Sequence, residues 1–220
     1  MNFRYKLTTR TAPQAPEVPN VFIIDSDPAV REKLAVLART AGWQPHTSAS
    51  AEEFLARPRL IGEGCVIVEL DLPGMSGLEL QKLIADRQEL PMVFMSSRAD
   101  ISAAVQAMKG GAFEFLTKPV IRDVFLRTLG QAVDCSRTAL RQLQQSEALQ
   151  HRFETLSRRE REVMSLVVTG RLNKQVGGEL GISEITVKAH RGKMMRKMQA
   201  ASLAELVTMA ANLHAEVRTA

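Results

Sequence analysis

The sequence predicts a doubly wound α/β domain on a five-stranded parallel sheet, followed by an all-α domain built around a helix-turn-helix. Three observations predict it. Short apolar runs alternate five times with helical patterns between about Val21 and Val133, which is how a parallel sheet with covering helices reads. A stretch without proline, Ile121 to Phe153, follows. Beyond it come a helix, a turn with glycine and a second, strongly basic helix. The implied division is a flexible leader at 1–19, an α/β domain at 20–133, a helical linker at 134–153 and a helix-turn-helix domain at 154–220.

The elements follow in order. Pro13, Pro16 and Pro19 mark an extended leader. Val21 to Ile24 is a strand apolar on both faces. Asp27 and Pro28 are an N-cap and first-turn proline, and open a helix with Val30, Leu34, Leu37 and Ala38 on one face. Gly42 stops it. Gln44 to Thr47 is a weak strand, and Pro45 assigns it to an edge. Ser50 to Glu53 is a capping box. Strands at Cys65–Val68, Met92–Met95 and Phe113–Leu116 are each followed by a helix: Leu78 to Asp86, one after Asp100, and one after Val120. That last helix continues through Leu129, Val133, Leu140, Leu143 and Leu149, with a break expected near Cys135–Ser136. Its apolar spacing does not decide between a single strut and a two-chain seam.

Composition narrows the function classes. With 45% hydrophobic and 24% charged residues over 220 positions, the chain reads as a globular, cytoplasmic protein. It has no apolar run of about 18 residues to cross a membrane. Cys65 and Cys135 form no CxxC motif, so neither a metal framework nor a disulfide is expected. The net charge of +5 is unevenly placed. Asn20 to Arg122 holds 11 Lys/Arg against 13 Asp/Glu, whereas His151 to Ala220 holds 12 against 7. The back half is therefore the one suited to a polyanion.

In a doubly wound sheet, ligands bind at the carboxyl ends of the strands. The polar residues at those ends are Asp25 and Ser26, Glu69, Ser96 and Ser97, and Lys118. With the segments Val66 to Gly77, Ser50 to Leu55, Asp100 to Ala112 and Phe115 to Pro119, this constellation resembles the receiver domain of bacterial response regulators, a flavodoxin-like fold. The match runs from about Val21 to Val133. The resemblance implies that an aspartate at the position of Glu69 accepts a phosphoryl group and that an acidic pair after the first strand holds Mg²⁺. It further implies that Ser96 and Lys118 contact the phosphoryl group and that Phe115 is a switch aromatic. Carboxylates suit Mg²⁺, and metal plus lysine would neutralise charge on the transferred oxygens.

The chain departs from that pattern twice. Ser26 replaces one acid of the pair, and Glu69 replaces the acceptor. Asp71 lies two residues before Pro73, where the family places its acceptor four before. Asp27 is committed as an N-cap. The remnant Asp25 and Glu69 are a degenerate Mg²⁺ site, and no cofactor is expected. Glu69 is then an inert relic, a mimic of the phosphorylated state reaching Lys118 and Ser96, or a surviving acceptor; the mimic is the preferred reading.

The back half reads as four short helices. Ser157 to Glu160 and Ser202 to Glu205 are capping boxes, and Gly170 ends the first helix. Asn173 is expected to cap the second, with Val176 and Leu180 inside it. Gly181 to Ser183 is the turn, and Ser183 caps the third. From Val187 to Lys197 this helix has five Lys/Arg, one His and no acid. Leu156 to Val163, Asn173–Lys174, Gly181 to Ser183 and Thr186 to Arg191 resemble the LuxR/NarL-type DNA-binding domain. The resemblance implies a recognition helix in the major groove, with Lys188 on bases and Lys174, Thr186, His190, Arg191 and Lys193 on phosphates. It also implies a dimer contact through Leu206, Ala210 and Leu213. Gly177 and Gly178 stand inside the second helix, at about 1 kcal/mol each against alanine.

The chain thus resembles a two-domain response regulator of the NarL/FixJ kind, a transcription regulator and not an enzyme. Double-stranded DNA and a second copy on it are the expected partners, with no membrane, and a cognate histidine kinase left open. The preferred reading is action independent of phosphorylation. The alternatives are a conventional phosphorylation switch, or a one-component regulator whose receiver-like domain binds a small ligand or partner protein.

Overall fold

In the computed structural model, which describes residues 18–60, 62–97 and 101–217 and the side chains up to Leu213, the chain divides into two compact units meeting in sequence at Leu140–Arg141. The expected leader, apart from Val18 and Pro19, and Asp100 lie outside the described residues.

The first unit alternates strands and helices: β1 Asn20–Ile24, α1 Pro28–Thr40, β2 Gln44–Ser48, α2 Ala51–Ala56, β3 Gly64–Glu69, α3 Gly77–Leu83, β4 Met92–Ser96, α4 Ile101–Lys109 and β5 Glu114–Thr117. All four strand pairings are parallel, in the order β2-β1-β3-β4-β5. Pro45 does sit in an edge strand. Alternate residues of the central strands serve opposite faces. Phe22, Ile24, Val66, Val68 and Phe94 pack with Phe54, Leu80 and Ala107. Val21, Ile23, Ile67, Val93 and Met95 pack with Leu34, Ala38, Phe125 and Leu129. That two-sided burial explains why the strands read as unbroken apolar runs.

Local chemistry sets the helix starts. Asp27 caps α1 by accepting from the Ala29 amide at 2.8 Å. Ser50 caps α2, but Glu53 accepts from Ala49 N (2.6 Å). A capping box the sequence reading passed over, Ser76 with Glu79, opens α3 at Gly77. Consequently α3 starts earlier than expected, and it ends at Leu83 rather than Asp86. Strand β5 is shifted one residue from Phe113–Leu116, to Glu114–Thr117, although the Phe113 amide still bonds the carbonyl of Met92.

Helix α5 runs unbroken over Arg122–Glu154. The break expected near Cys135–Ser136 is absent. Ser136 is fully buried, and its hydroxyl donates to the Glu89 carbonyl (2.6 Å) and accepts from the Gly64 amide (3.0 Å). The second unit continues with α6 Arg158–Val167, α7 Asn173–Leu180, α8 Glu184–Met198 and α9 Leu203–Val217. Its core gathers Leu156, Val163, Val167, Val176, Val187, Met194, Met198 and Leu206, with Leu149 and Phe153 against it.

Candidate functional site

Parallel register brings the carboxyl ends of β1, β3, β4 and β5 to one rim. Asp25 and Ser26 follow β1, Glu69 ends β3, Ser96 ends β4, and Lys118 follows β5. Lys118 Nζ lies 2.6 Å from Asp25 Oδ2 and 2.6 Å from Glu69 Oε1. The other Glu69 oxygen accepts from the Ser26 hydroxyl (2.9 Å) and amide (3.3 Å). The other Asp25 oxygen accepts from the Asp27 amide (2.9 Å). Both Glu69 oxygens therefore have protein donors, whereas buried Asp25 Oδ2 faces the Lys118 charge without a hydrogen bond. Ser96 is buried at the same rim, and its carbonyl accepts from the Lys118 amide (2.8 Å). Phe115 is half-buried, its ring stacked 6.4 Å from that of Phe94.

Why Glu69 is held so closely is visible beneath it. The Gly77 amide bonds the Leu70 carbonyl (3.1 Å). A Cβ on Gly77 would stand 2.8 Å from the Glu69 carbonyl and 3.0 Å from the Phe94 ring, so only glycine lets α3 begin this close. Asp71 is exposed on the next turn, outside the ring of contacts around Lys118.

Electrostatics separate the two acids. Burial lifts the Asp25 pKa above its ordinary 3.8, against the Lys118 and Asp27 donors, and the charge on Glu69 adds to the rise. Burial also acts against ionised Glu69, but the bonds from Lys118 and Ser26 outweigh it and hold that pKa below 4.5. For Lys118, burial is outweighed by Asp25 and Glu69, and its pKa stands above 10.5. The rim thus shifts its two carboxyls in opposite directions, toward the neutral form at Asp25 and toward the ionised form at Glu69.

The family resemblance implies Mg²⁺ at this rim, and the residues present do not fit it. The acid pair is reduced to Asp25, and a cation would have to displace Lys118 or Ser26 from oxygens they already occupy. Among the described residues, no group of three or more His, Cys, Asp or Glu is gathered to hold a metal. Beside the rim an open groove of about 370 Å³ is lined by Val30, Lys33, Leu34, Ser97, Lys118, Pro119 and Val120.

Two contributions escaped the sequence reading. Ser26 counted only as a lost ligand, yet it is a donor to Glu69. Arg31, on α1, donates to the carbonyls of Asp25 (2.7 Å) and Ser26 (3.0 Å) and so fixes the loop that presents both side chains. A serine beside an acid one methylene longer than expected was a usable signal for the first; Arg31 left none.

In the second unit, α7, a turn and α8 form the helix-turn-helix. Asn173 does not cap α7: it is the first helical residue, Leu172 precedes it, and Gln175 accepts from the Leu172 amide (2.9 Å). The Asn173 side chain instead accepts from Arg191 (3.1 Å), linking α7 to α8. Gly181 makes the turn with φ +67°, and Ser183 caps α8. Gly177 admits the Ile182 carbonyl of the turn, which a Cβ would meet at 2.7 Å, with Val187 and Glu184 of α8 next at 3.6 and 3.7 Å. Nothing in the structure explains Gly178. Lys174, Lys188 and Lys193 are exposed, whereas Thr186, His190 and Arg191 are half-buried. Lys188 lies 3.0 Å from Glu184. Leu206, Ala210 and Leu213 disagree with the dimer expectation. They are buried in the core of their own unit, which leaves little surface for a second chain. Among the described residues, the large apolar side chains left exposed on α9 are Leu203 and Val207.

Comparison with known proteins agrees with both halves. Residues 21–129 match the response regulator receiver domain, and residues 154–210 match the bacterial regulatory proteins of the luxR family. Nodulation protein W of Bradyrhizobium diazoefficiens is 41% identical over 195 residues, 88% of this chain and 86% of that protein. The transcriptional regulatory protein FixJ of Azorhizobium caulinodans is 39% identical, over 89% of this chain and 93% of its own length. The solved structure of the response regulator StyR is 39% identical, with a TM-score of 0.79 over 88% of this chain and 98% of that one. A five-stranded parallel sheet ending in an acid–lysine rim, joined in sequence to a luxR-type helix-turn-helix, makes this chain a two-domain response regulator of the NarL/FixJ family: a DNA-binding regulator of transcription, not an enzyme.

Proposed function

We propose that this regulator binds its DNA sites without phosphoryl transfer to its receiver unit, with ionised Glu69 held where a phosphorylatable carboxylate stands in the family. The observation carrying this reading is the closed set of contacts among Asp25, Glu69, Ser26 and Lys118. An acceptor needs an oxygen able to attack phosphorus, and both Glu69 oxygens are engaged. Mg²⁺ demands near-ideal octahedral geometry and gives up water reluctantly, so its binding here is weak. One carboxylate carries less charge than an acyl phosphate, so Glu69 stands in for the phosphorylated state only in part. The regulator acts in the cytoplasm as a homodimer on DNA, with recognition helices about one DNA turn apart and no obligatory kinase.

Gel-shift titration of the full chain, with and without a small acyl phosphate donor and Mg²⁺, tests this. Equal affinity is expected; donor-dependent tightening refutes it. The rival is a conventional switch with Glu69 or Asp71 as acceptor. It requires an acyl phosphate in the intact-mass spectrum that disappears in Glu69→Ala or Asp71→Ala.

The groove beside Lys118 supports a second reading, in which a small anionic ligand draws Lys118 away from Glu69. A panel of carboxylates and phosphates that leaves the thermal midpoint unmoved removes this reading.

A further inference from the structure

We propose that Ile185 reads a base, packing its side chain on the C5-methyl of a thymine in the major groove next to the base met by Lys188. The proposal rests on α8 being the recognition helix. Such a helix meets base edges mainly with its N-terminal residues, and Ile185 is its second residue. At 80% exposed, it is the most exposed large hydrophobic side chain among the described residues. Core packing therefore does not account for it. Helix propensity does not either, because a β-branched side chain loses rotamer freedom in a helix.

The rest of the face fits a reading surface. At 100° per residue, Ile185, Lys188, Ala189 and Gly192 share one side of α8, and the buried Val187, Met194 and Met198 lie opposite. Ala189 is exposed, and a Cβ on Gly192 would meet nothing within 4 Å. The helix thus offers a shallow recess that lets its backbone approach base edges, bordered by one apolar and one cationic side chain. The two differ in what they can read. A lysine finds the acceptors of guanine, whereas an isoleucine finds only the thymine methyl as an apolar partner.

The test begins with selection of binding sites from random duplex DNA by the full-length protein. Each thymine of the selected site is then replaced by deoxyuridine, which removes the methyl and keeps the pairing. At one thymine the wild-type protein is expected to lose about four-fold in affinity, the worth of one methyl withdrawn from water. Ile185→Ala should bind the thymine site weaker by a similar factor and be indifferent to that replacement, while Lys188→Ala still senses it. Because Ile185 is exposed, Ile185→Ala should keep the wild-type thermal midpoint. Full sensitivity of Ile185→Ala at every thymine, or no sensitivity of the wild type at any, overturns the proposal. Failure of the wild type to enrich any sequence overturns the reading of α8 itself, and this proposal with it.

Discussion

Two lysine–glutamate pairs with the same 2.6 Å separation stand in the two units, Lys118 with Glu69 and Lys197 with Glu160. In the second unit the pair holds helices together. Glu160 belongs to the capping box of α6, and Lys197, near the end of α8, also bonds the Thr155 carbonyl (3.0 Å). The pair spans two helices that share no backbone ladder, so its structural task is plain. In the first unit the backbone is already tied: β1, β3, β4 and β5 are joined by their own ladders, and the charged side chains of Glu69, Asp25 and Lys118 are no part of those ladders. Lys118 also faces two carboxylates rather than one. An ion cluster that the sheet does not need, with a surplus negative charge at the strand ends, belongs to a site. The lesson is that equal geometry carries unequal meaning, decided by what else holds the elements.

Removing a lysine from each unit puts that contrast to the test. Lys118→Met leaves buried Asp25 and Glu69 without their cation, and stability should fall by about 3–5 kcal/mol, the usual cost of orphaning a buried charge. Urea unfolding of the full chain, followed by probes in each unit, should place that loss in the first transition alone. A loss below about 1 kcal/mol would mean that Asp25 and Glu69 share the rim without Lys118.

Glu160→Ala comes next. It removes the acceptor for the Ser157 amide and the partner of Lys197, and about 1–2 kcal/mol should go from the second unit. Part of this pair is exposed on the lysine side, which is why the effect is smaller. DNA affinity measured below the unfolding transition should stay within two-fold, since neither residue is on the reading face of α8. A larger loss would give this pair a part in DNA binding and erase the distinction from the first unit.

A smaller effect concerns the surface rather than the pairs. Lys174→Ala should lower the salt dependence of DNA binding by about one unit of slope, as for a single phosphate contact, with equal loss on selected and random duplex. Loss confined to the selected site would make Lys174 a base contact.

The sequence foretold the alternation of elements and the rim well, because both depend on strong local signals. Buried strands leave apolar runs, and Asp27–Pro28 or Ser157 to Glu160 announce helix starts by their own side chains. What it missed was set by tertiary partners. Asn173 looked like a cap, but Arg191 claims its side chain from another helix. Leu206, Ala210 and Leu213 show helical spacing, and spacing does not say whether the covering surface is their own core or a second chain. Ser26 was read by what it lacks, since its bond to Glu69 joins residues 43 apart in sequence.

The finest test of the contrast is pH. The depressed pKa of Glu69 means that its stabilising share is present above its ordinary 4.5 and fades as pH falls through the lower folded value. Asp25 runs the other way: its raised pKa makes the folded state bind a proton more tightly, so its share declines as pH rises from 3.8 through the folded value. The two slopes partly cancel in the wild type across the acid range. Glu69→Gln keeps the shape of the side chain, removes the first slope and weakens the second, because the charge on Glu69 adds to the raised Asp25 pKa. The stability difference between wild type and Glu69→Gln should therefore widen as pH rises from the lowered folded value toward the ordinary 4.5 and level off above it, on the order of 1 kcal/mol for each unit that the Glu69 pKa is lowered. Glu160 is depressed as well, chiefly by Lys197 and Ser157 working against burial, so Glu160→Gln should give a difference of the same sign in the second unit. The units then separate at Asp25. Asp25→Asn should steepen the acid limb of the first unit, because the opposing slope is gone, and no such partner exists for Lys197 among the described residues. If Asp25→Asn leaves that limb unchanged, the rim titrates as a simple pair, and its claim to be more than a second clamp fails.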